Sequence, residues 1–191
     1  MIKLAAFLGN PGKEHSQNRH NAGFLLAEKP KINSNLKWQN KFKGFYAVFD
    51  GRVHFIKPLT FMNLSGQSVA QAASFLKIKA DAVIVVHDEL ELPLGVVSLK
   101  FGGGLGGHNG LRSMKASLGS ADFWRIRVGI GRPVPDGKEV IDWVLSDFEA
   151  GEKEILDRVL DTAAELLINV LAGNPEDFLP EWAKKKVALD G

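Results

Sequence analysis

Residues 2–12 read IKLAAFLGNPG, an apolar run that passes directly into a turn of glycine, asparagine and proline. The run predicts a buried strand, and the turn predicts where that strand ends. In open α/β sheets, ligands bind at the carboxyl ends of the strands. The residues after the turn include His20, which stands between Arg19 and Asn21. We therefore expect a site at this edge, where His20 is either a catalytic base or a structural cap of the next helix.

Strands alternate with helices along the rest of the chain. Strands are predicted at residues 4–8, 44–49, 53–57, 83–87, 96–101 and 125–130, and helices at residues 20–29, 62–76, 110–118 and 148–171. Residues 83–86, VIVV, are typical of a central strand covered on both faces, and Asp50-Gly51 predicts a tight antiparallel hairpin. We expect a single α/β domain over residues 1–191, with a twisted mixed β-sheet flanked by helices on both faces.

Local signals predict where the helices begin and end. Thr60 is a candidate N-cap for the second helix, because its hydroxyl can accept from a free backbone N–H. Ser146 and Glu149 have the spacing of a capping box for the last helix. Pro30 predicts an early end for the first helix, since the residue before a proline disfavours helical backbone.

Composition narrows the function classes. The chain has no cysteine, which excludes disulfides, thiolate metal sites and a cysteine nucleophile. Residues 95–132 carry six basic and one acidic side chain, whereas residues 133–191 carry six basic and 14 acidic ones. The basic part suits a phosphate-rich partner, or else both parts are ordinary solvated surface. No signal-peptide pattern and no membrane-length apolar stretch is visible, so we expect a cytoplasmic protein with no membrane partner.

Three further segments carry polar groups suited to a site. Asp88 follows the predicted central strand, at the same edge as the first strand's end if the two are parallel, and it can orient His20. Asn63 lies in the first turn of a predicted helix, where its amide can face a cleft. Residues 102–107, GGGLGG, are not a Walker A loop, because no Gly-Lys-Ser/Thr follows. Each segment alone also fits a routine turn, helix start or flexible loop.

Basic side chains surround the glycine-rich segment. They are Lys100 and Arg112, with Arg125 and Arg127 in the next predicted strand. Alternation places Arg125 and Arg127 on one face of that strand. The pattern favours a partner rich in phosphate.

Four motifs together resemble the bacterial peptidyl-tRNA hydrolase family. They are GNPG at residues 9–12 with RHNAG at 19–23, TFMNLSG at 60–66, HDELELP at 87–93 and GGGLGGHNGL at 102–111. The resemblance runs to about Pro133 and continues more loosely into the last helix. It implies a single α/β domain that hydrolyses the ester between peptide and tRNA, as a monomer, with no metal and no cofactor.

The resemblance also implies roles for individual residues. His20 matches the catalytic base and Asp88 the carboxylate that orients it. Five residues match the substrate-binding crevice: Asn10, Phe61, Asn63, His108 and Asn109. Lys100 and Arg127 match basic residues that contact tRNA phosphates, and residues 136–145 match a mobile lid.

The chain departs from the family pattern near its first motif. His15 and Asn18 stand where the family usually has tyrosine and threonine, and a histidine in the crevice adds a second titratable group. Two other functions stay open at this point. One is an RNA-binding homologue without hydrolase activity, against which the intact His20, Asp88, Asn63 and Asn109 argue. The other is an unrelated nucleotide-phosphate enzyme that uses the glycine-rich loop.

Overall fold

The computed structural model describes residues 1–133 and 139–187. Its strands are β1 (Leu4–Phe7), β2 (Gln39–Lys41), β3 (Gly44–Phe49), β4 (Val53–Pro58), β5 (Val83–Glu89), β6 (Val96–Phe101), β7 (Trp124–Gly129) and β8 (Lys185–Lys186). Its α-helices are α1 (Ala22–Ala27), α2 (Pro30–Asn33), α3 (Ser65–Phe75), α4 (Asn109–Leu118), α5 (Val140–Val144), α6 (Ala150–Ala172) and α7 (Leu179–Trp182). Short 3-10 turns precede several of them, including Arg19–Asn21 before α1 and Met62–Leu64 before α3.

These strands form one mixed sheet in the order β2-β3-β4-β1-β5-β7-β6-β8. The four central strands β4, β1, β5 and β7 are parallel. The outer strands pair antiparallel to them and to one another. The predicted α/β fold with a mixed sheet is confirmed.

Helices cover both faces of the central strands. In β1, Ala5 and Phe7 point into the core formed with α1 and α6. Leu4 and Ala6 point into the core formed with α3 and α4. Because both faces are buried at β1 and at residues 83–86 of β5, these segments have no polar positions, which explains their continuous apolar runs.

The predicted hairpin is confirmed by its backbone. Asp50 and Gly51 join β3 to β4, and their φ angles are 50° and 66°. Two successive positive φ angles fit a type I′ turn, whose twist matches that of the strands it joins. Glycine at the second position reaches this conformation without steric cost.

Of the three local predictions about helix ends, two are wrong and the early end at Pro30 is confirmed. Helix α6 begins at Ala150, and its capping box is formed by Glu149 and Glu152, so the box predicted at Ser146 is wrong. Thr60 is not an N-cap, since Phe61 stands at the start of the 3-10 turn that leads into α3. Pro30 does follow the end of α1, but it then occupies the first turn of α2, where the missing N–H costs nothing.

The lid predicted at residues 136–145 falls partly outside the described residues. Its residues 136–138 lie outside them, whereas residues 140–144 form α5. At the other end, Lys185 and Lys186 pair with β6 as the short edge strand β8. No helix in the described part of the chain has the length and hydropathy that crossing a membrane requires.

Close packing of α1 on the sheet depends on Gly23. A Cβ atom at Gly23 would lie 2.5 Å from backbone atoms of Leu8 and Val86. Backbone cannot move aside as a flexible side chain can. We expect Gly23→Ala to lower the free energy of unfolding by about 1–3 kcal/mol, the usual cost of overpacking.

Urea denaturation followed by circular dichroism measures this change. Gly151→Ala is the matched control, because Gly151 is also helical and a Cβ there meets nothing within 4 Å. Its stability should be unchanged or rise by up to about 1 kcal/mol. Equal losses in the two variants would contradict the packing argument.

Candidate active site

The site forms where β1 and β5 end side by side. The two strands are parallel with Phe7 opposite Val86, so the turn after β1 and the residues at the end of β5 reach the same edge. Asn21 fastens the 3-10 turn that carries His20 to this edge. Its side-chain Oδ1 accepts from the Asn10 N–H at 2.9 Å, and its Nδ2 donates to the Asn10 carbonyl at 3.0 Å.

Asp88 and His20 form a buried pair at this edge. His20 Nδ1 lies 2.9 Å and 3.0 Å from the two carboxylate oxygens of Asp88. Since a carboxylate only accepts, Nδ1 carries the proton and Nε2 keeps its lone pair. Burial lowers the pKa of His20, but the charge and hydrogen bond of Asp88 outweigh burial and raise it above 6.5. His20 is thus oriented as a base with one free nitrogen.

His108 is the second imidazole on the same carboxylate. Its Nε2 lies 2.9 Å from Asp88 Oδ1. Its Nδ1 caps α4 by accepting from the N–H groups of Gly110 and Leu111, at 3.1 Å and 3.3 Å. A nitrogen that accepts from two N–H groups holds no proton, so His108 is neutral and donates to Asp88 through Nε2. Protonation of His108 would break the cap.

The two histidines keep Asp88 ionised although it is fully buried. Burial alone would raise the pKa of Asp88, but His20 and His108 together hold it far below its usual range. A charged group in such a place is stable only when its oxygens are satisfied. The ligand atoms of His20, Asp88 and His108 lie within 4.8 Å of one another, which could also suit a metal ion. Here these atoms are hydrogen-bonded to each other. A metal ion at His108 Nε2 would displace the proton from that nitrogen, and a neutral ring would then carry its proton on Nδ1, where the cap of α4 needs a lone pair.

His87 is a third histidine in the cluster. It was not among the residues predicted to form the site. Its ring packs edge-on against His108, with ring centroids 5.0 Å apart. Its Nδ1 donates to the Asp88 carbonyl at 2.6 Å. Burial lowers the pKa of His87 well below 6.5, so it stays neutral. The sequence feature that could have pointed to His87 is its position next to Asp88 in the motif HDE.

A cleft of about 700 Å³ opens above these groups. All five predicted substrate residues line it together with the pair: Asn10, His20, Phe61, Asn63, Asp88, His108 and Asn109. Asn10 Oδ1 accepts from the Met62 N–H at 2.7 Å, which leaves the Nδ2 group as its free donor. Phe61, Asn63 and Asn109 are exposed at the cleft. His15 also lines the cleft, and its Nδ1 lies 3.0 Å from Asn18 Oδ1.

Helix α5 supplies an apolar wall of the cleft, within the segment predicted as a lid. Val140, Ile141, Val144 and Leu145 line the cleft. Ile141 is 63% exposed and Val140 40% exposed. Exposed aliphatic side chains beside the polar His20–Asp88 pair indicate contact with an apolar part of a ligand.

The basic residues are arranged differently from the sequence prediction. Arg125 is fully buried and donates to the carbonyls of Gly102 and Gly104, so it organises the glycine-rich loop and is not available to phosphate. Arg127 donates to Glu89 Oε2 at 3.4 Å and to Ser98 Oγ at 2.7 Å. Lys100 is half-buried near both arginines, and burial followed by their charges lowers its pKa. Lys100 and Arg127 lie outside the cleft lining.

The cleft therefore joins three chemical capabilities. His20 Nε2 can take a proton from water, because Asp88 stabilises the imidazolium that results. Neutral amides at Asn10, Asn63 and Asn109 can donate to carbonyl or oxyanion oxygen without preferring one side chain. The wall of α5 can cover an apolar group. Such a set suits hydrolysis of an ester or amide bond.

Sequence and fold also match those of known proteins. A family model described as Peptidyl-tRNA hydrolase matches residues 4–189. The peptidyl-tRNA hydrolase of Treponema pallidum (strain Nichols) is 45% identical, over 97% of this chain and 96% of its own length. That of Neisseria meningitidis serogroup A is 44% identical over 92% and 94%. The crystal structure of peptidyl-tRNA hydrolase from Acinetobacter baumannii superposes with a TM-score of 0.88 at 35% identity, covering 98% of this chain and 97% of that one.

The Asp88 carboxylate is the cause of the raised pKa of His20. In Asp88→Asn the charge is lost while the ring remains buried, so we expect the pKa of His20 to fall below 6.5. Titration of the histidine Cε1 protons by NMR measures it. His54, whose ring lies against Tyr46 and not against Asp88, is the internal control and should not move. An unchanged pKa at His20 would show that another group holds its charge.

Proposed function

Because the chain belongs to the peptidyl-tRNA hydrolase family, we propose that His20 and Asp88 carry out the hydrolysis that defines this family. The chain is an esterase that cleaves the bond between a peptide and the terminal ribose of tRNA. The observation that carries the residue assignment is the buried His20–Asp88 contact at 2.9 Å, with Nε2 of His20 at the cleft. The remaining assignments follow from what else lines that cleft.

The reaction begins with a water molecule at His20 Nε2. As the water oxygen forms a bond to the ester carbonyl carbon, its proton moves to Nε2 and the carbonyl oxygen becomes an oxyanion. Asp88 stabilises the imidazolium through Nδ1–H. When the tetrahedral intermediate collapses, the bond to the ribose oxygen breaks, and the imidazolium returns its proton to that oxygen. Free tRNA and the peptide acid leave, the acid then loses its proton to solvent to become a carboxylate, and His20 is neutral again.

Asparagine amides supply the neutral donors of the site. Asn10 offers its Nδ2 group, because its oxygen is bound to the Met62 N–H. Asn63 and Asn109 face the cleft from the turn before α3 and from the first turn of α4. We assign these three residues to the peptide backbone, the oxyanion and the terminal adenosine. Amides bind the backbone common to all peptides, so the enzyme accepts many sequences.

Other groups contact the nucleic acid. The ring of Phe61 is 59% exposed at the cleft and suits stacking with the terminal adenine. His108 belongs to the crevice as the second donor to Asp88. We assign Lys100 and Arg127 to tRNA phosphates, with Arg127 already oriented by Glu89 and Ser98. Recognition by charge and shape suits an enzyme that must accept every tRNA.

We further propose that the enzyme acts as a monomer in the cytoplasm. The cleft is built from one chain, and tRNA carrying a peptide is a product of translation. Because one cleft, lined by residues from Asn10 to Leu145, would bind this substrate, we also propose one functional domain over residues 1–191. Residues 140–144 of the proposed lid are the apolar wall, which we assign to covering the reacting end of the substrate.

The role of His20 predicts a separation of chemistry from binding. In His20→Ala the base is lost while the asparagines and the basic residues remain. We expect the rate of ester cleavage in single turnover to fall by about 10²–10⁴-fold, and the affinity for tRNA to stay within about twofold. His54→Ala is the matched control and should cleave at the wild-type rate. Near-normal turnover of His20→Ala would end the assignment of the base.

The role of Lys100 predicts a change in salt dependence. Each phosphate contact adds about one unit to the slope of log affinity against log salt. Lys100→Ala should therefore bind tRNA more weakly and with a slope smaller by about one unit, as measured by fluorescence anisotropy. Lys37 is exposed next to β2, at the opposite end of the sheet from β6, so Lys37→Ala should keep the wild-type slope. Identical slopes in all three proteins would remove Lys100 from the interface.

A further inference from the structure

Arg19 is the neighbour of the catalytic histidine and has no place in the chemistry described above. Its side chain is 1% exposed, although arginine is rarely buried so completely. Its guanidinium nitrogens donate to the two carboxylate oxygens of Glu152, at 3.1 Å and 2.6 Å. Burial raises the pKa of Glu152, but this contact outweighs it and the pKa is lowered. The pair fastens the turn of His20 to the start of α6.

The flat face of the same guanidinium lies on aromatic rings. The guanidinium carbon is 3.7 Å from the ring centre of Trp143 and 4.8 Å from that of Phe148. Trp143 belongs to α5, and its Nε1 donates to the Gly131 carbonyl at 2.8 Å. One buried cation thus contacts α5, the segment after it and α6 at once.

Backbone contacts reinforce this connection. The Arg19 N–H donates to the Ser146 carbonyl at 2.9 Å, and Arg19 Nε donates to Ser146 Oγ at 3.3 Å. Asn18 forms an isolated β-bridge with Asp147, and its Nδ2 donates to Asp147 Oδ1 at 2.8 Å. The chain just after α5 therefore lies directly against the turn that carries His20.

Helix α5 needs such contacts to keep its position. It has five residues, too few to be a stable helix on its own. Its Trp143 faces Arg19, while Val140, Ile141 and Val144 face the cleft. A shift of Trp143 would move all three wall residues together.

We propose that Arg19 is a positioning residue for hydrolysis. It holds the apolar wall of the cleft in place through Trp143, and thereby sets how tightly the reacting end of the substrate binds. It does not act through His20, because Asp88 orients that ring independently. This inference rests on the proposed function, and its test is arranged so that the two can fail separately.

The test compares two variants that disturb the contact from opposite sides. Arg19→Lys keeps the charge but loses the paired hydrogen bonds and the flat face. Trp143→Leu keeps an apolar residue on α5 but removes the ring. Lys29→Met is the matched control. Lys29 also joins the first helical region to α6, through Asp157 at 2.7 Å and Asp161 at 2.9 Å, but none of these residues lines the cleft.

Steady-state hydrolysis of peptidyl-tRNA gives the first measurement. We expect KM to rise about fivefold or more in Arg19→Lys and Trp143→Leu, with kcat within about twofold of the wild-type value. The pH midpoint of kcat should not move. The double variant should raise KM no more than the larger single effect, because both changes break one contact. Lys29→Met should keep the wild-type KM even if its melting temperature falls.

Hydrogen exchange of the free protein gives a second measurement that does not depend on activity. The amides of residues 140–145 should exchange faster in Arg19→Lys and Trp143→Leu than in wild type and in Lys29→Met. Wild-type KM and exchange in both variants would overturn the inference. A moved pH midpoint or a fall in kcat alone would also overturn it, since Arg19 would then act through His20. Absence of hydrolysis by the wild-type protein would instead contradict the proposed function.

Discussion

The structure depends on one buried negative charge, the carboxylate of Asp88. Transfer of a lone carboxylate into a protein interior costs several kcal/mol, so each of its oxygens must be satisfied. Two imidazoles meet that requirement: His20 contacts both oxygens, at 2.9 Å and 3.0 Å, and His108 contacts Oδ1 at 2.9 Å. The constraint fixes both tautomers. His108 must donate through Nε2 because its Nδ1 caps α4, and His20 must donate through Nδ1, which leaves Nε2 for water.

The fold brings these three residues together from distant parts of the chain. Parallel pairing of β1 with β5 places the turn after β1 beside Asp88. Asn21 binds the backbone of Asn10, so the His20 turn is docked on the end of β1. The glycine-rich loop brings α4 back to the same edge. Arg125 holds that loop by donating to the Gly104 carbonyl. Arg19 then connects the edge with α5 and α6.

Much of this arrangement could be predicted from the sequence, because it follows from short-range patterns. Continuous apolar runs identified β1 and β5, and Asp50-Gly51 identified the hairpin. His20 and Asp88 were selected since both follow predicted strand ends. The remainder depends on contacts between distant residues. Arg125 looked like a phosphate ligand, but whether an arginine points outward or binds a loop carbonyl is decided by tertiary packing. The capping box at Glu149 and Glu152 was missed because glutamate is not a usual N-cap residue, whereas Ser146 three residues before Glu149 fits the standard pattern.

The central claim is that Asp88 binds two imidazoles through different ring nitrogens, His20 through Nδ1 and His108 through Nε2. Ring ¹⁵N NMR of the wild-type protein tests it most directly, because it reports which nitrogen of each histidine carries the proton. His20 should show a protonated Nδ1 and a free Nε2, and should become doubly protonated with a pKa above 6.5. The neutral ring of His108 should show the opposite tautomer, with a free Nδ1 and a protonated Nε2. A neutral His108 with its proton on Nδ1, or a neutral His20 with its proton on Nε2, would contradict the account.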